Sequence, residues 1–319
     1  MLKEQEIPIT GLLNKHVSVI GYGNQGRAHA LNLRDSGIDV IIGARNAHNA
    51  ASDGFTSVSL EEASTADLII IALPDEIQGK VYKEQIAPNL RPNAGQTLGF
   101  IHGFAIHYGH IIPPKDVGVV MVAPKGPGIT VREKYLAGSG VLALLAIAKE
   151  NASNTARNLA LGWANGIGSA RIGVLESTFK DETETDLFGE QAIIVGGLVT
   201  LIKTSYETLV NAGYPPQLAY IECCHEVKLV ADIIHQRGIA EMMKAISNTA
   251  EMGAYEAMNI LDDAHLRERL GELMSHIQDG SFAHRLTNGE IKNKRASLAA
   301  HEIEQVGKEI RSVMHEDDD

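Results

Sequence analysis

A short apolar run, Val17–Ile20, passes directly into Gly21-Tyr22-Gly23-Asn24-Gln25-Gly26, and a helical stretch extends from there as far as Gly37. Strand, G-x-G-x-x-G and helix in that order restrict this part of the chain to the first turn of a dinucleotide-binding βαβ unit. The first two glycines allow a tight turn and the close approach of a pyrophosphate; the third lets helix and strand pack. Phosphate would then rest on amides at the helix N-terminus. A glycine loop alone is a weak signal, and a repeated strand–helix pattern gives this one its weight. Val40–Ile42, Leu68–Leu73, Gln96–Phe100 and Val117–Ala123 are further apolar runs of strand length, with helical stretches such as Ala28–Ser36 and Asp75–Ile86 between them. This alternation predicts a parallel, doubly wound α/β sheet.

After Ser177 the strand signals stop. Long helical patterns run through Asp186–Lys203, Pro216–Gln236, Ile239–Ala257, His265–Gly280 and Arg295–Met314. The expected organisation is therefore a Rossmann-like α/β domain over residues 1–177 and an all-α domain over 178–319, in keeping with a chain of 319 residues. Apolar residues make up 44% and charged residues 21%, enough for a packed core. A formal net charge of −12 disfavours nucleic acid and anionic membrane as partners. The two cysteines, Cys223 and Cys224, are adjacent and make no disulfide framework, which fits a reducing compartment. The longest apolar run, Gln191–Ile202, carries Gly196 and Gly197 and is short for a membrane span. A soluble, cytoplasmic protein is expected.

Two acidic pairs stand inside apolar helical segments: Asp186 with Glu190, and Glu222 with Glu226. Spacing of i,i+4 puts each pair on one helical face, and in the second segment Leu218, Leu229 and Ile233 share that face. A face of that composition is expected to be buried, and buried carboxylates need a partner. A divalent cation held by oxygen ligands, Mg²⁺ or Mn²⁺ rather than zinc, answers that need. Salt bridges to Lys203, Lys228 or Arg237 are the other answer. At the end of the second strand stands Arg45, where NAD proteins often place an acid, and a cation there favours NADP(H), unless it merely stacks on adenine. His102 comes after the run Gln96–Ile101 at the carboxyl edge, where doubly wound sheets bind ligands. Lys125 stands after Val117–Ala123 in the same way. Ser247 is placed either to bind ligand or to cap a helix starting at Asn248 or Thr249.

Taken together, GYGNQGRAHALNLRDSG, HGFAIH, PKGPG, ETETDLFGEQ, ECCHE and ISNTAE closely resemble the ketol-acid reductoisomerases, the acetohydroxy acid isomeroreductases of branched-chain amino-acid synthesis, in their short class I form. The resemblance implies a knotted helical domain, two Mg²⁺ ions and NADPH, with NADH as the alternative. It implies isomerisation and reduction of 2-acetolactate or 2-aceto-2-hydroxybutyrate to the dihydroxy acid. Asp186 and Glu190 would hold metal, completed by Glu222 and Glu226 of a neighbouring subunit in a homodimer or dodecamer. His102 and Lys125 would be active-site residues and Ser247 a substrate ligand. Tyr22 to Gln25, the run Asp75, Glu76, Ile77 and Gln78, and Gly128 would meet the cofactor. The chain departs from the family pattern at Ala105 (usually Asn), Ile129 (usually His), Leu142 (usually Pro), Ala245 (usually Ser) and Met252 (usually Tyr), and the loop after Arg45 is shorter and lacks the usual serines. Two other readings are a β-hydroxyacid or imine reductase, which needs no four-carboxylate site, and a catalytically silent nucleotide-binding paralogue.

Overall fold

A computed structural model describes residues 1–44, 48–287 and 291–314; Arg45 lies outside the described residues. The chain forms two units, Met1–Thr185 and Asp186–Asp319.

The first unit is built on one sheet of β1 (Val17–Ile20), β2 (Val40–Gly43), β3 (Ser57–Val58), β4 (Leu68–Ile71), β5 (Thr97–Phe100), β6 (Gly118–Pro124), β7 (Ala143–Lys149) and β8 (Val174–Glu176). The spatial order is β3-β2-β1-β4-β5-β6-β7-β8. All neighbours pair in parallel except β6 and β7. The central strands are apolar apart from Ser18 and Thr97, because helices cover both faces of a parallel sheet. Alternate side chains feed two separate cores. Leu68 and Ile70 pack with Val17, Val19, Ile42 and Trp163 on one face, and Ile69 and Ile71 with Leu98, Phe100 and Met121 on the other. Each such aliphatic residue contributes about 1.5–3 kcal/mol by leaving water. Gly99 in β5 makes room for Trp163: a Cβ there would lie 2.8 Å from the indole.

The order reverses at β1, whose neighbours are β2 and β4, and this opens a crevice at the carboxyl ends of β1 and β4. The chain leaving β1 is the G-x-G-x-x-G turn into α1 (Asn24–Asp35); the chains leaving β4, β5 and β6 carry Asp75, His102 and Lys125. Asp75, His102 and Lys125 therefore stand side by side with the nucleotide turn on one edge.

The second unit is helical. The predicted helix over Ile239–Ala257 is in fact two, Ile239–Ala245 and Asn248–Leu261, broken where Ile246 turns extended (φ −91°, ψ 170°) and Ser247 caps the next helix. Likewise Arg295–Met314 divides into Ile291–Ala299 and Glu302–Met314, with the His301 ring accepting the Ile303 amide between them. A helical run of 33 residues, Phe179–Asn211, is long and apolar enough to cross a bilayer, which corrects the expectation drawn from the shorter run Gln191–Ile202. A small core forms around Tyr206, Ala219, Tyr220, Ile303 and Val306. Many other apolar side chains of this unit, among them Ile194, Leu229 and Ile260, are exposed on the single chain.

Candidate active site and cofactor cleft

The three fingerprint glycines do three different things. Gly21 has φ +100°, and a Cβ on it would lie 2.5 Å from the Ala72 carbonyl, so the turn closes against the loop leaving β4. Gly26 packs α1 onto that turn, since its Cβ would meet the Gly21 carbonyl at 2.2 Å. Gly23 faces open space, with nothing within 4 Å of the Cβ position, which leaves the approach to the α1 N-terminus clear. Gln25 Nε2 donates to the Gly126 carbonyl at 2.9 Å, and Gly128 lies against the Asn24 backbone, where a Cβ would come within 2.3 Å of the carbonyl oxygen. The PKGPG segment thus braces the nucleotide turn.

Beside it lies a cleft of about 270 Å³ whose walls include Gly21, Tyr22, Gly43, Ala44, Leu73 and Ile77. Of the residues Asp75 to Gln78, Ile77 lines this cleft. Gln78 is buried and turns back, its Nε2 donating to the Leu73 carbonyl and to Asp75 Oδ1. Glu76 is exposed. The volume and the open glycine suit the adenosine and pyrophosphate of a dinucleotide.

His102 and Lys125 meet on one carboxylate that the sequence pattern alone did not single out. Glu182, with a side chain only 1% exposed, accepts from Lys125 Nζ at 2.9 Å, and His102 Nδ1 lies 3.0 Å from it. Its other oxygen accepts the Gly103 amide at 2.9 Å. Gly103 must be glycine for this approach, because a Cβ would sit 2.4 Å from Thr183 Oγ1. Burial pushes the Glu182 carboxyl up, but the hydrogen bond and charge of His102 and the ammonium of Lys125 outweigh it and hold the pKa at about 2. A turn away, His107 Nε2 pairs with buried Glu184 at 3.3 Å. The signal for Glu182 was present: Glu182, Asp186 and Glu190 recur every fourth residue.

Glu182 and Asp186 occupy successive turns of the helix Phe179–Gly189. Glu190 opens a π turn, Glu190–Ile194, and Glu222 lies in another, Ile221–His225, with Glu226 directly after it. Such turns are rare and concentrate at functional sites. Glu222 and Glu226 are exposed on the single chain, and so are Leu218 and Leu229; the expected burial of that face is not met within one chain. The salt-bridge alternative loses two candidates, since Lys203 pairs with Glu207 at 2.6 Å and Lys228 with Asp232 at 2.5 Å. Ser247 caps its helix, accepting the Ala250 amide at 3.2 Å. Of the departures, Ala105 is fully buried in the core and Ile129 is exposed.

The family described as acetohydroxy acid isomeroreductase, NADPH-binding domain, matches residues 11–173, and that described as ketol-acid reductoisomerase, C-terminal domain, matches residues 179–316. The chain belongs to the ketol-acid reductoisomerase family. Among solved structures it is similar to an NADH-preferring ketol-acid reductoisomerase from an uncultured archaeon, at 40% identity and a TM-score of 0.93, covering 98% of each chain. Its fold alone extends further. A semialdehyde dehydrogenase NAD-binding protein from Cupriavidus necator shares 21% identity at TM-score 0.63, covering 83% of this chain and 99% of that one. Pyrroline carboxylate reductase from Plasmodium falciparum shares 18% at 0.52, covering 83% and 98%. This ketol-acid reductoisomerase family member is an NAD(P)-dependent oxidoreductase acting on a small molecule.

Proposed function

We propose that this chain rearranges 2-acetolactate or 2-aceto-2-hydroxybutyrate by Mg²⁺-dependent alkyl migration and reduces the product to the 2,3-dihydroxy acid, within branched-chain amino-acid synthesis. The observation that supports this most is the Glu182 carboxylate, held by His102, Lys125 and the Gly103 amide at the sheet's carboxyl edge, with Asp186 one turn further along its helix. Asp186, Glu190, Glu222 and Glu226 offer only oxygen, the donor set for two Mg²⁺ ions. When bound, the ions supply Lewis acidity at the substrate's hydroxyl and ketone oxygens, and the nicotinamide supplies hydride.

The chain's own share is proton handling and position. Ionised Glu182 fixes the Lys125 ammonium and orients His102 through Nδ1, which makes the imidazole a positioned group for proton exchange with substrate. Ser247 remains the candidate ligand for the substrate carboxylate. Residues 1–177 serve as the nucleotide domain and 178–319 as the metal and substrate domain. The reductant is NADPH or NADH; Arg45, on which the sequence argument for NADPH rests, is not among the described residues. Exposed apolar side chains along Phe179–Asn211 and Val227–Arg237 fit burial in a homodimer or dodecamer of a cytoplasmic enzyme rather than in lipid, because the exposed carboxylates Glu222 and Glu226 directly precede Val227–Arg237.

The test monitors cofactor absorbance with racemic 2-acetolactate, with NADPH or NADH, each with Mg²⁺ or EDTA. Oxidation that needs both acetolactate and Mg²⁺ is expected. Turnover that survives EDTA would overturn the metal-dependent reaction, and silence with both cofactors would overturn the activity.

A further inference from the structure

Asp53 stands just after the short helix His48–Ser52 and gathers two residues of the nucleotide turn. Arg27 Nε donates to its Oδ2 at 2.6 Å and Arg27 Nη2 to its Oδ1 at 2.9 Å, a bidentate pair. The Tyr22 hydroxyl donates to Oδ2 at 2.8 Å. Arg34 donates to the Asp53 carbonyl and lies over the Phe55 ring, which meets Tyr22 edge-on. Tyr22, Gly43 and Ala44 line the cleft together. The end of the second strand is where dinucleotide enzymes meet the 2′ position of the adenine ribose. The Asp53–Arg27 pair therefore backs the wall of the ribose corner.

We propose that Asp53 biases this enzyme against a 2′-phosphate, and so toward NADH, by occupying the Arg27 guanidinium and returning negative charge to the ribose corner. This rests on the reading of the cleft as the adenosine site. A 2′-phosphate needs a cation with donors to spare. Here Nε and Nη2 of Arg27 bond Asp53, and a phosphate that reaches the remaining Nη donors must sit beside that carboxylate or displace it. An uncharged 2′-hydroxyl meets no such penalty. Asparagine at position 53 keeps one acceptor oxygen for the Tyr22 hydroxyl and Arg27 Nε, removes the charge, and turns an amide toward Arg27 Nη2, which is thereby released.

The experiment measures Kd for NADH and NADPH by titration calorimetry on the full chain, for wild type, Asp53→Asn, Arg27→Gln and the double variant. Asp53→Asn should tighten NADPH relative to NADH by about two- to fivefold, the range of a partly exposed ion pair, and added salt should shrink the gain. Arg27→Gln in that background should abolish it. Equal shifts for both nucleotides, or a gain that survives in the double variant, would overturn the proposal. If Asp53→Asn melts early, Arg27→Gln alone decides: with the carboxylate left uncompensated, NADPH must weaken more than NADH, and equal weakening overturns the proposal. A wild-type chain that binds neither nucleotide overturns the cofactor cleft itself; wild-type binding with an unmoved ratio overturns only the role of Asp53.

Discussion

At the scale of single residues, two buried ionisable groups do opposite things with a proton. Glu182 keeps its charge because His102 and Lys125 compensate it, with a carboxyl at about 2 against an ordinary 4.5. Such a group stabilises the fold fully above pH 4.5 and loses that contribution as pH falls toward 2. Glu182→Gln should therefore flatten the acid limb of stability in that window. It should also lower kcat by about 10²-fold, with a smaller change in KM, because Lys125 and His102 lose the anion that positions them. His29 is buried neutral: burial depresses its imidazole to about 3 from 6.5, and its Nδ1 accepts from Trp163 Nε1 at 3.0 Å. The unfolded chain takes up this proton first, so stability falls as pH drops below 6.5, by about 1.4 kcal/mol per pH unit while only the unfolded form is charged. His29→Gln keeps an acceptor for Trp163 and should remove that slope from pH 6.5 down to about 3, leaving below 4.5 the fall that belongs to Glu182. Urea midpoints measured across pH separate the two residues, and a wild-type midpoint flat from pH 6.5 to 4.5 would refute the assignment to His29.

At the scale of elements, the glycines show how much the sequence can say. The strand–turn–helix around Gly21 was legible because its steric demands fall on one residue type. Gly23→Ala should fold with an unchanged melting temperature yet lose nucleotide affinity, since its Cβ points into open space. Gly26→Ala should cost about 2–3 kcal/mol of stability, because its Cβ would strike the Gly21 carbonyl. Other elements were not legible. Strand β7, Ala143–Lys149, is spelled largely with Ala, Leu and Lys, good helix formers, and its ladders to β6 and β8 make it a strand. The π turns are hidden for a different reason: one extra residue in a helix barely disturbs an apolar pattern. Glu190–Ile194 leaves a trace in Gly196 and Gly197, where a Cβ would meet the carbonyls of Gln191 and Ala192 at 2.5 and 2.0 Å. Those glycines make room for the bulged backbone that carries Glu190. Gly197→Ala should consequently shift Glu190 and weaken Mg²⁺ activation about tenfold or more, with helix content retained by circular dichroism. An unchanged Mg²⁺ dependence would separate the π turn from the metal site.

At the scale of the whole molecule, the site as read from sequence is divided between a part the single chain assembles and a part it leaves in solvent. His102 and Lys125 converge on Glu182 within the first unit because β5 and β6 are neighbours in one sheet. Glu222 and Glu226 were expected on a buried face, and the single chain does not bury it: helical periodicity tells which residues share a face but not which chain covers it. Leu229 is 55% exposed, Ile194 64% and Ile260 76%, and exposed apolar surface of this kind is what a contact between chains buries. Light scattering should therefore give a mass at least twice the 34.3 kDa of the chain. Leu229→Asp with Ile194→Asp places charge on that surface and should drive dissociation. Acetolactate reduction should fall with the loss of assembly, while NADH or NADPH binding in the first unit persists, since the residues that form the cleft lie between Gly21 and Gln85. A wild-type chain that is monomeric and fully active would show that Glu222 and Glu226 complete no site on a neighbour. A double variant that stays assembled yet loses activity would place these two side chains at the chemistry rather than at the contact between chains.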